Sequence, residues 1–198
     1  MSRGPFSFGT VILAGGASVL GLFLLVGYLL PHDWQAEATA SMPVTPDAVY
    51  AFLDSPEGWQ GWTPWPESGV ERSGPARGVG ATLAWNDLEF GSGSFRIVGA
   101  TPSRVEYSVL VQEGTMRTSG SLDLAPEEGG VRVTWREEGD FGRNPLMGYW
   151  VLAMSRAQSE ELAKGLDRLR ALAQERAAAA EPADSLAAVG GAPSTPNP

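Results

Sequence analysis

Side chains that could carry nucleophilic or acid–base chemistry are few in this chain of 198 residues. There is no cysteine, and the single histidine, His32, directly follows a long apolar segment. The remainder of the chain therefore cannot form nucleophile–base pairs of the Ser–His or Cys–His kind. Acid–base work would fall to carboxylates, Tyr107 or arginine.

One cluster of charged residues could hold such chemistry: Glu137, Glu138 and Asp140, flanked by Arg136 and Arg143. It precedes a predicted helix, and the sequence favours a solvated rim over a catalytic or metal-binding group. We therefore predict no catalytic residue, no metal site and no cofactor.

The strands that would position these side chains are predicted by period-two alternation. Residues 34–42 alternate, and alternation continues from Gly78 to Asp140, which predicts an antiparallel meander with one apolar and one wet face. Turn signals separate the strands at Asn86-Asp87, Thr101-Pro102-Ser103, Glu113-Gly114 and Glu127-Glu128-Gly129-Gly130.

Three predicted helices begin with a capping side chain followed by proline, at Thr45-Pro46, Ser55-Pro56 and Asn144-Pro145. The first two helices are short. The third is long and amphipathic, and Gly165 on its apolar stripe predicts a close approach to the sheet. An α+β fold in which a curved sheet grips this helix would bury both apolar faces in one core.

An N-terminal membrane anchor is predicted because no ionisable side chain occurs from Gly4 to Pro31. Residues 11–30 provide about 20 apolar residues, the length of a single transmembrane helix. A cleaved signal peptide is the alternative, but the apolar run is longer than a typical signal core and no small-x-small site follows it directly.

The charges around this segment predict a single-pass protein with a cytoplasmic N-terminus and an extracytoplasmic domain. Arg3 precedes the span, whereas Asp33 and Glu37 follow it. The net charge of −9 argues against nucleic acid or anionic headgroups as the main partner.

Three segments are expected: an anchor over residues 1–32, one folded domain over residues 33–176 and a disordered tail over residues 177–198. The tail is rich in Ala, Pro, Gly and Ser and has almost no large apolar residue. It cannot bury enough surface to offset the entropy cost of ordering.

Several local blocks and their order resemble the SRPBCC superfamily, the helix-grip fold of START-type lipid-transfer domains, pollen-allergen-like proteins and polyketide cyclases or aromatases. The chain looks like the bacterial polyketide cyclase/dehydrase group that carries an N-terminal membrane anchor. The matching blocks are Val44 to Leu53, Gly58-Trp59, Trp62-Thr63-Pro64-Trp65, Gly78 to Ala81, Phe90 to Gly93, Gly129 to Trp135 and Gly165 to Leu169.

The resemblance implies a cavity between the sheet and the long helix, and no fixed catalytic set. Aromatic and thioether side chains suit an apolar ligand, although the same side chains could simply fill the core. The inward candidates for the pocket lining are Trp85, Phe95, Ile97, Tyr107, Met116, Trp135, Trp150 and Met154.

A block of three tryptophans, Trp59, Trp62 and Trp65, has two interpretations. They could belong to the core where the short helices meet the sheet. Alternatively, one or two could lie at the membrane–water interface, where indole is favoured.

The function favoured by these features is the binding or shuttling of an apolar small molecule such as a lipid, an isoprenoid or quinone, or a polyketide-like compound. The first alternative is a cyclase or aromatase, which would need a polar residue with a shifted pKa inside the pocket. The second is a ligand-free module that engages another envelope protein, whose identity the sequence does not give.

Overall fold

The computed structural model describes residues 8–66, 68–88, 91–111, 116–140 and 144–189, without the side chains of residues 152, 153 and 181–189. In chain order the elements are α1 (Phe8–Leu29), β1 (Asp33–Met42), α2 (Pro46–Leu53), α3 (Pro56–Gln60), β2 (Val70–Ser73), β3 (Thr82–Asp87), β4 (Gly91–Thr101), β5 (Arg104–Val111), β6 (Met116–Glu127), β7 (Gly130–Asp140) and α4 (Pro145–Val189). The predicted α+β order is confirmed.

Seven strands form one antiparallel sheet in the order β1-β7-β6-β5-β4-β3-β2. Strand β1 pairs with β7 from Asp33 opposite Asp140 to Met42 opposite Val131. A bulge between Ile97 and Gly99 interrupts the pairing of β4 with β5 and bends the sheet. The curved sheet and the long helix α4 together form the helix-grip fold that the resemblance implies.

The two faces of the sheet differ as the alternation predicts. In β7, Val131, Val133 and Trp135 are buried, whereas Arg132 and Arg136 are exposed. We call the face that carries the buried set the inner face, because it lies toward α4, and the other the outer face. The end of the sheet at which β1 begins, next to α1, is called the α1 end.

Strand β2 is the one strand that the sequence does not predict. Its four residues, VERS, are mostly exposed and form an edge strand without apolar alternation. The turn predicted at Asn86-Asp87 is also wrong, because both residues still pair with β4. The turns at Thr101–Arg104 and Glu127–Gly130 are confirmed, and the one at Glu113-Gly114 lies outside the described residues.

The three predicted helix caps are confirmed by their hydrogen bonds. The Thr45 hydroxyl accepts from the Ala48 N–H and the Ser55 hydroxyl from the Gly58 N–H. At the start of α4 the Asn144 side chain accepts from the Leu146 N–H at 3.0 Å. Each cap satisfies a helix N–H group that would otherwise lack a partner, which fixes where the helix begins.

Helix α4 packs along β1 and against α2 through an apolar stripe that includes Leu162, Leu166 and Leu169, all fully buried. The predicted close approach at Gly165 is confirmed, since a Cβ atom there would lie 2.6 Å from the Trp135 ring. The helix continues to Val189, past the predicted domain end at residue 176. The predicted disorder of the tail stays a prediction for residues 190–198, which lie outside the described residues.

Helix α1 has 22 residues and is long and apolar enough to cross a membrane. Its last turns contact the first turns of α4. The Phe23 and Tyr149 rings stack with centroids 4.5 Å apart, and the Tyr149 hydroxyl donates to the Phe23 carbonyl at 2.7 Å. Gly27 and Gly148 lie at the crossing, where a Cβ atom on either would overlap the backbone of the other helix.

Candidate ligand site between the sheet and the long helix

Half of the space between the sheet and the helices is filled by aromatic rings centred on Trp59. Its ring centroid lies 4.8 Å from that of Trp62, 5.0 Å from Phe95 and 4.7 Å from Tyr107. Trp135 joins this group at 5.1 Å from Trp62. Offset and edge-to-face pairs of this kind each stabilise the core by about 0.5–1.5 kcal/mol beyond the burial of apolar surface.

For the tryptophan block, burial supports the core interpretation over the membrane one. Trp59 is 2% exposed and Trp62 1% exposed, while Trp65 is partly buried and packs on Trp85 and Phe95. The Trp59 indole donates to the Leu53 carbonyl, and Arg168 of α4 donates to the Trp62 carbonyl, both at 2.7 Å. The first bond ties α3 to the end of α2, and the second ties the turn after α3 to α4.

Large rings are seated on glycines of the neighbouring strand. Trp85 lies over Gly93 and Tyr107 over Gly120, and in each pair the two residues face one another in the sheet register. A Cβ atom at either glycine would overlap the ring. The glycines therefore set how deeply the rings lie on the inner face.

A polar cluster lies beside the aromatic rings on the same inner face. The Trp135 indole donates to the Tyr107 hydroxyl at 2.8 Å, and that hydroxyl donates to a carboxylate oxygen of Glu137. The side-chain amide of Gln158, on α4, donates to the other Glu137 oxygen at 2.7 Å. The cluster of Trp135, Tyr107, Glu137 and Gln158 thus joins β5, β7 and α4 through one acidic group.

Burial perturbs both titratable members of this cluster. It raises the pKa of the Glu137 carboxyl above its ordinary value of 4.5, although the hydrogen bonds from Tyr107 and Gln158 oppose the rise. Burial, reinforced by the nearby Glu137 charge, raises the pKa of the Tyr107 hydroxyl well above 10.0. Tyr107 therefore stays protonated and remains a donor to Glu137.

The sequence interpretation of Glu137 as part of a solvated rim is wrong. Glu137 is in phase with Val131, Val133 and Trp135, so the same alternation that places those residues inside also places Glu137 inside. Glu138, one residue further on, is exposed on the outer face, as are Arg136 and Asp140. The signal was present in the strand period, but the run of charges obscured it.

The other half of the inner face, toward the α1 end, is only half covered. Val109, Thr118 and Glu137 point inward but remain partly exposed, whereas Val105, Leu122 and Val133, further from the α1 end, are fully buried. Helix α4 lies mainly over β1 and touches β7 only slightly. We call this half-covered region the open half. Val111 and Met116 lie at its edge nearest the α1 end.

The predicted lining residues divide between the two halves. Phe95, Ile97, Tyr107 and Trp135 are buried in the filled half, and Trp85, Met116 and Met154 are partly exposed. Trp150 does not point inward as predicted, because it is 61% exposed. Its helical turn packs on α1 rather than on the sheet, so its side of the stripe faces outward.

The buried indole N–H groups of Trp62 and Trp85 have no hydrogen-bond partner within the described chain. Trp85 lies at the α1 end of the inner face, opposite Gly93. An unpaired buried donor costs about 1–3 kcal/mol, so an acceptor that reached it would bind favourably.

A separate concavity of about 490 Å³ lies on the outer face and has a different character. Its walls include Ser108, Ser119 and Ser121. Several of its charged side chains are paired, since Arg136 contacts Glu37 at 2.6 Å and Arg104 contacts Glu106 at 2.9 Å. Such a self-paired polar groove does not suit an apolar ligand. Among the described residues, no group of three His, Asp or Glu side chains could hold a metal ion.

Solved structures with the same fold include proteins from several sources. TTHA0849 from Thermus thermophilus matches with a TM-score of 0.55 and 18% identity, over 72% of this chain and 98% of its own. Mll3558 from Rhizobium loti gives 0.52 and 19%, over 70% and 96%. The di-domain ARO/CYC StfQ from the steffimycin biosynthetic pathway gives 0.55 and 15%, over 74% of this chain and 52% of StfQ.

At these identities the structural likeness shows the fold. No curated protein matches the chain by sequence. Residues 33–174, from the start of β1 to well within α4, match the family model for polyketide cyclase / dehydrase and lipid transport. The chain therefore belongs to the polyketide cyclase/dehydrase and lipid transport family.

Proposed function

We propose that this protein is a membrane-tethered domain that binds or shuttles an apolar small molecule in the open half of the interface between the sheet and α4. The observation that carries the proposal is the uneven cover of the inner face. One half is filled by aromatic rings, while the other half, next to α1, leaves inward apolar side chains accessible.

The chemistry of the open half supports an apolar ligand that has at least one oxygen atom. Val109, Thr118 and Met154 offer apolar surface, and methionine adapts to irregular shapes. The Gln158–Glu137 pair and the free Trp85 N–H offer hydrogen bonds at its edge. A lipid, an isoprenoid or quinone, or a polyketide-like compound has this combination of features.

The tether in this proposal is α1, with its N-terminus in the cytoplasm and the domain outside. The charge asymmetry supports this orientation, because Arg3 precedes α1 whereas Asp33 and Glu37 follow it. A ligand that partitions into the bilayer could then reach the open half without crossing bulk water.

Thr118→Trp is the variant that tests the binding site. The indole should fill the open half and abolish ligand binding, since Thr118 points inward from β6 and is only partly buried. Ser119→Trp is the matched control, because Ser119 is the next residue on the outer face. Native mass spectrometry of the full-length chain, released from nanodiscs, would count bound lipid or isoprenoid.

A reproducible bound molecule in the parent and in Ser119→Trp, lost in Thr118→Trp, would support the proposal. A parent that carries nothing and takes up nothing from vesicles of total bacterial lipid would contradict it. Equal binding in all three proteins would contradict the location of the site.

The Tyr107–Glu137 pair favours a second candidate function, a cyclase- or aromatase-like enzyme. A carboxyl group with a raised pKa, held against a protonated phenol, can deliver a proton to a ligand carbonyl. Glu137→Gln would separate the two functions: it should abolish turnover of a poly-β-keto substrate in an enzyme but leave stoichiometric binding intact in a carrier.

A further inference from the structure

We infer that the first two turns of α4 form a second membrane-contacting surface beside α1, with Leu146 and Trp150 inserted at the boundary between headgroups and hydrocarbon. The partner of this surface is the lipid bilayer. The inference rests on the proposed tethering through α1 and goes beyond it, because it places part of the ligand-binding domain itself in the membrane.

The depth of the contact between α1 and α4 is the first argument. The Tyr149 ring stacks on Phe23, which lies six residues before the end of α1 at Leu29. At 1.5 Å per residue, this contact lies about 9 Å inside the end of the helix. A helix of this length just spans a hydrocarbon core of about 30 Å, so a side chain at this depth is below the headgroups.

The direction of the neighbouring side chains is the second argument. Leu146 and Trp150 are one turn apart on α4, and they are 53% and 61% exposed. Their turn holds Gly148 against α1, so they lie next to the span while facing away from the protein. Leucine in hydrocarbon and tryptophan at the interface are the residue types that bilayers favour at those depths.

The distribution of exposed apolar side chains is the third argument. Outside α1, the described residues contain five large apolar side chains with high exposure: Val79, Leu88, Val98, Leu146 and Trp150. Three of them lie at the α1 end, since Leu88 follows directly on β3 at that end of the sheet. Only Leu30, Pro31 and His32 separate α1 from β1, so this end of the domain cannot move far from the bilayer.

The hydrogen bond of Tyr149 fits the same location. Its hydroxyl donates to the Phe23 carbonyl, so the one polar atom of that side chain has a partner within the protein. A phenol without a partner would be costly at that depth. Because the chain has a net charge of −9, contact with the bilayer should depend on apolar burial rather than on anionic lipid.

The absence of cysteine from the chain allows a clean test by site-directed spin labelling of the full-length protein. Single variants Leu146→Cys, Trp150→Cys and Leu88→Cys carry the nitroxide at the proposed surface. Leu20→Cys reports on α1 itself, and the exposed Val79→Cys reports on the far end of the domain. Collision rates with oxygen and with a water-soluble nickel chelate are measured in phosphatidylcholine nanodiscs.

We expect loss of nickel-chelate collisions at positions 146, 150 and 20, a partial loss at position 88 and none at position 79. Replacing part of the lipid by phosphatidylglycerol should leave this pattern unchanged. Full chelate access at 146 and 150 with protection at 20 would overturn the inference and leave the tether standing. Full access at 20 as well would overturn the tether.

A second copy of the chain could also cover this surface. Protection at position 150 that disappears on dilution with unlabelled protein, together with spin–spin broadening between labels, would reveal such a dimer and overturn the inference. Protection that persists at one chain per nanodisc, without broadening, supports contact with lipid.

Discussion

At the scale of single residues, Glu137 supplies a hydrogen-bonding carboxyl group to the inner face. It accepts from Tyr107 and from Gln158, and it lies where the filled half of the interface meets the open half. Among the described carboxyl groups it is the one whose pKa is raised by burial, which couples its protonation to folding.

This coupling predicts a pH dependence of stability with a definite sign. The pKa of Glu137 is higher in the folded than in the unfolded chain, so the folded state binds more protons. The Glu137 contribution to the free energy of unfolding therefore falls as pH rises from about 4.5 through the raised pKa. In Glu137→Gln this contribution is absent, and the variant should gain stability relative to the parent as pH increases.

Thermal unfolding of full-length protein in mild detergent, followed by circular dichroism between about pH 4.5 and 8, would measure this difference. Glu138→Gln removes a carboxylate from the exposed neighbouring position and is the matched control. The same change in both variants would contradict the assignment to Glu137, as would a stability difference that does not vary with pH.

The residue scale also shows what sequence patterns could and could not provide. Strand phase correctly placed Trp135 and Tyr107 inside, and it would have placed Glu137 there had the charged neighbours been set aside. Trp150 is the opposite case. It lies on the apolar stripe of α4, as the helical spacing predicts. However, the first turns of α4 pack on α1 and the later turns pack on the sheet, and no local pattern reports that change.

At the scale of secondary-structure elements, α4 is positioned by the contact between Gly165 and Trp135. The ring cannot move aside easily, because its indole donates to the Tyr107 hydroxyl. A glycine inside a helix is unfavourable by about 1 kcal/mol relative to alanine, so the contact must offset that cost. The sequence indicated the close approach through the apolar stripe, although not the ring that it meets.

Gly165→Ala should therefore destabilise the protein although alanine favours helix. A Cβ atom at position 165 would lie 2.6 Å from the Trp135 ring. Overpacking of this kind costs about 1–3 kcal/mol, which exceeds the gain in helix propensity. Chemical unfolding should show a lower midpoint for Gly165→Ala.

The control for this experiment is Ala163→Gly, at an exposed position of the same turn. It should lose about 1 kcal/mol from helix propensity alone. If Gly165→Ala instead raised the midpoint, helix propensity would dominate, and the sheet and α4 would have room to separate at this point.

At the scale of the whole molecule, the relation between α1 and the rest of the fold depends on glycine. Helix α1 contains five glycines, and among Gly15, Gly16, Gly21 and Gly27 only Gly27 has a neighbour from another element within 4 Å. The sequence shows several equivalent glycines in an apolar run. Which of them meets α4 follows from the short connection to β1 and from where α4 begins beside the sheet, both of which are properties of the fold.

Gly27→Leu should uncouple α1 from the domain without unfolding it. Its side chain would overlap the Pro145 carbonyl and the Tyr149 ring, so the helices would separate and the Phe23–Tyr149 stack would be lost. Gly21→Leu is the matched control, because a Cβ atom at Gly21 meets no atom within 4 Å. Both variants keep α1 apolar enough to span a membrane.

Pulsed electron–electron double resonance between nitroxides at Leu20→Cys and Val98→Cys, in nanodiscs, would give the distribution of distances between α1 and the sheet. The width of this distribution measures how tightly the two are coupled. The width should increase for Gly27→Leu and remain that of the parent for Gly21→Leu. An unchanged width for Gly27→Leu would mean that the short connection alone orients the domain. A broader distribution accompanied by slower ligand uptake from the bilayer would support the proposed function, because the open half would then no longer be held next to α1.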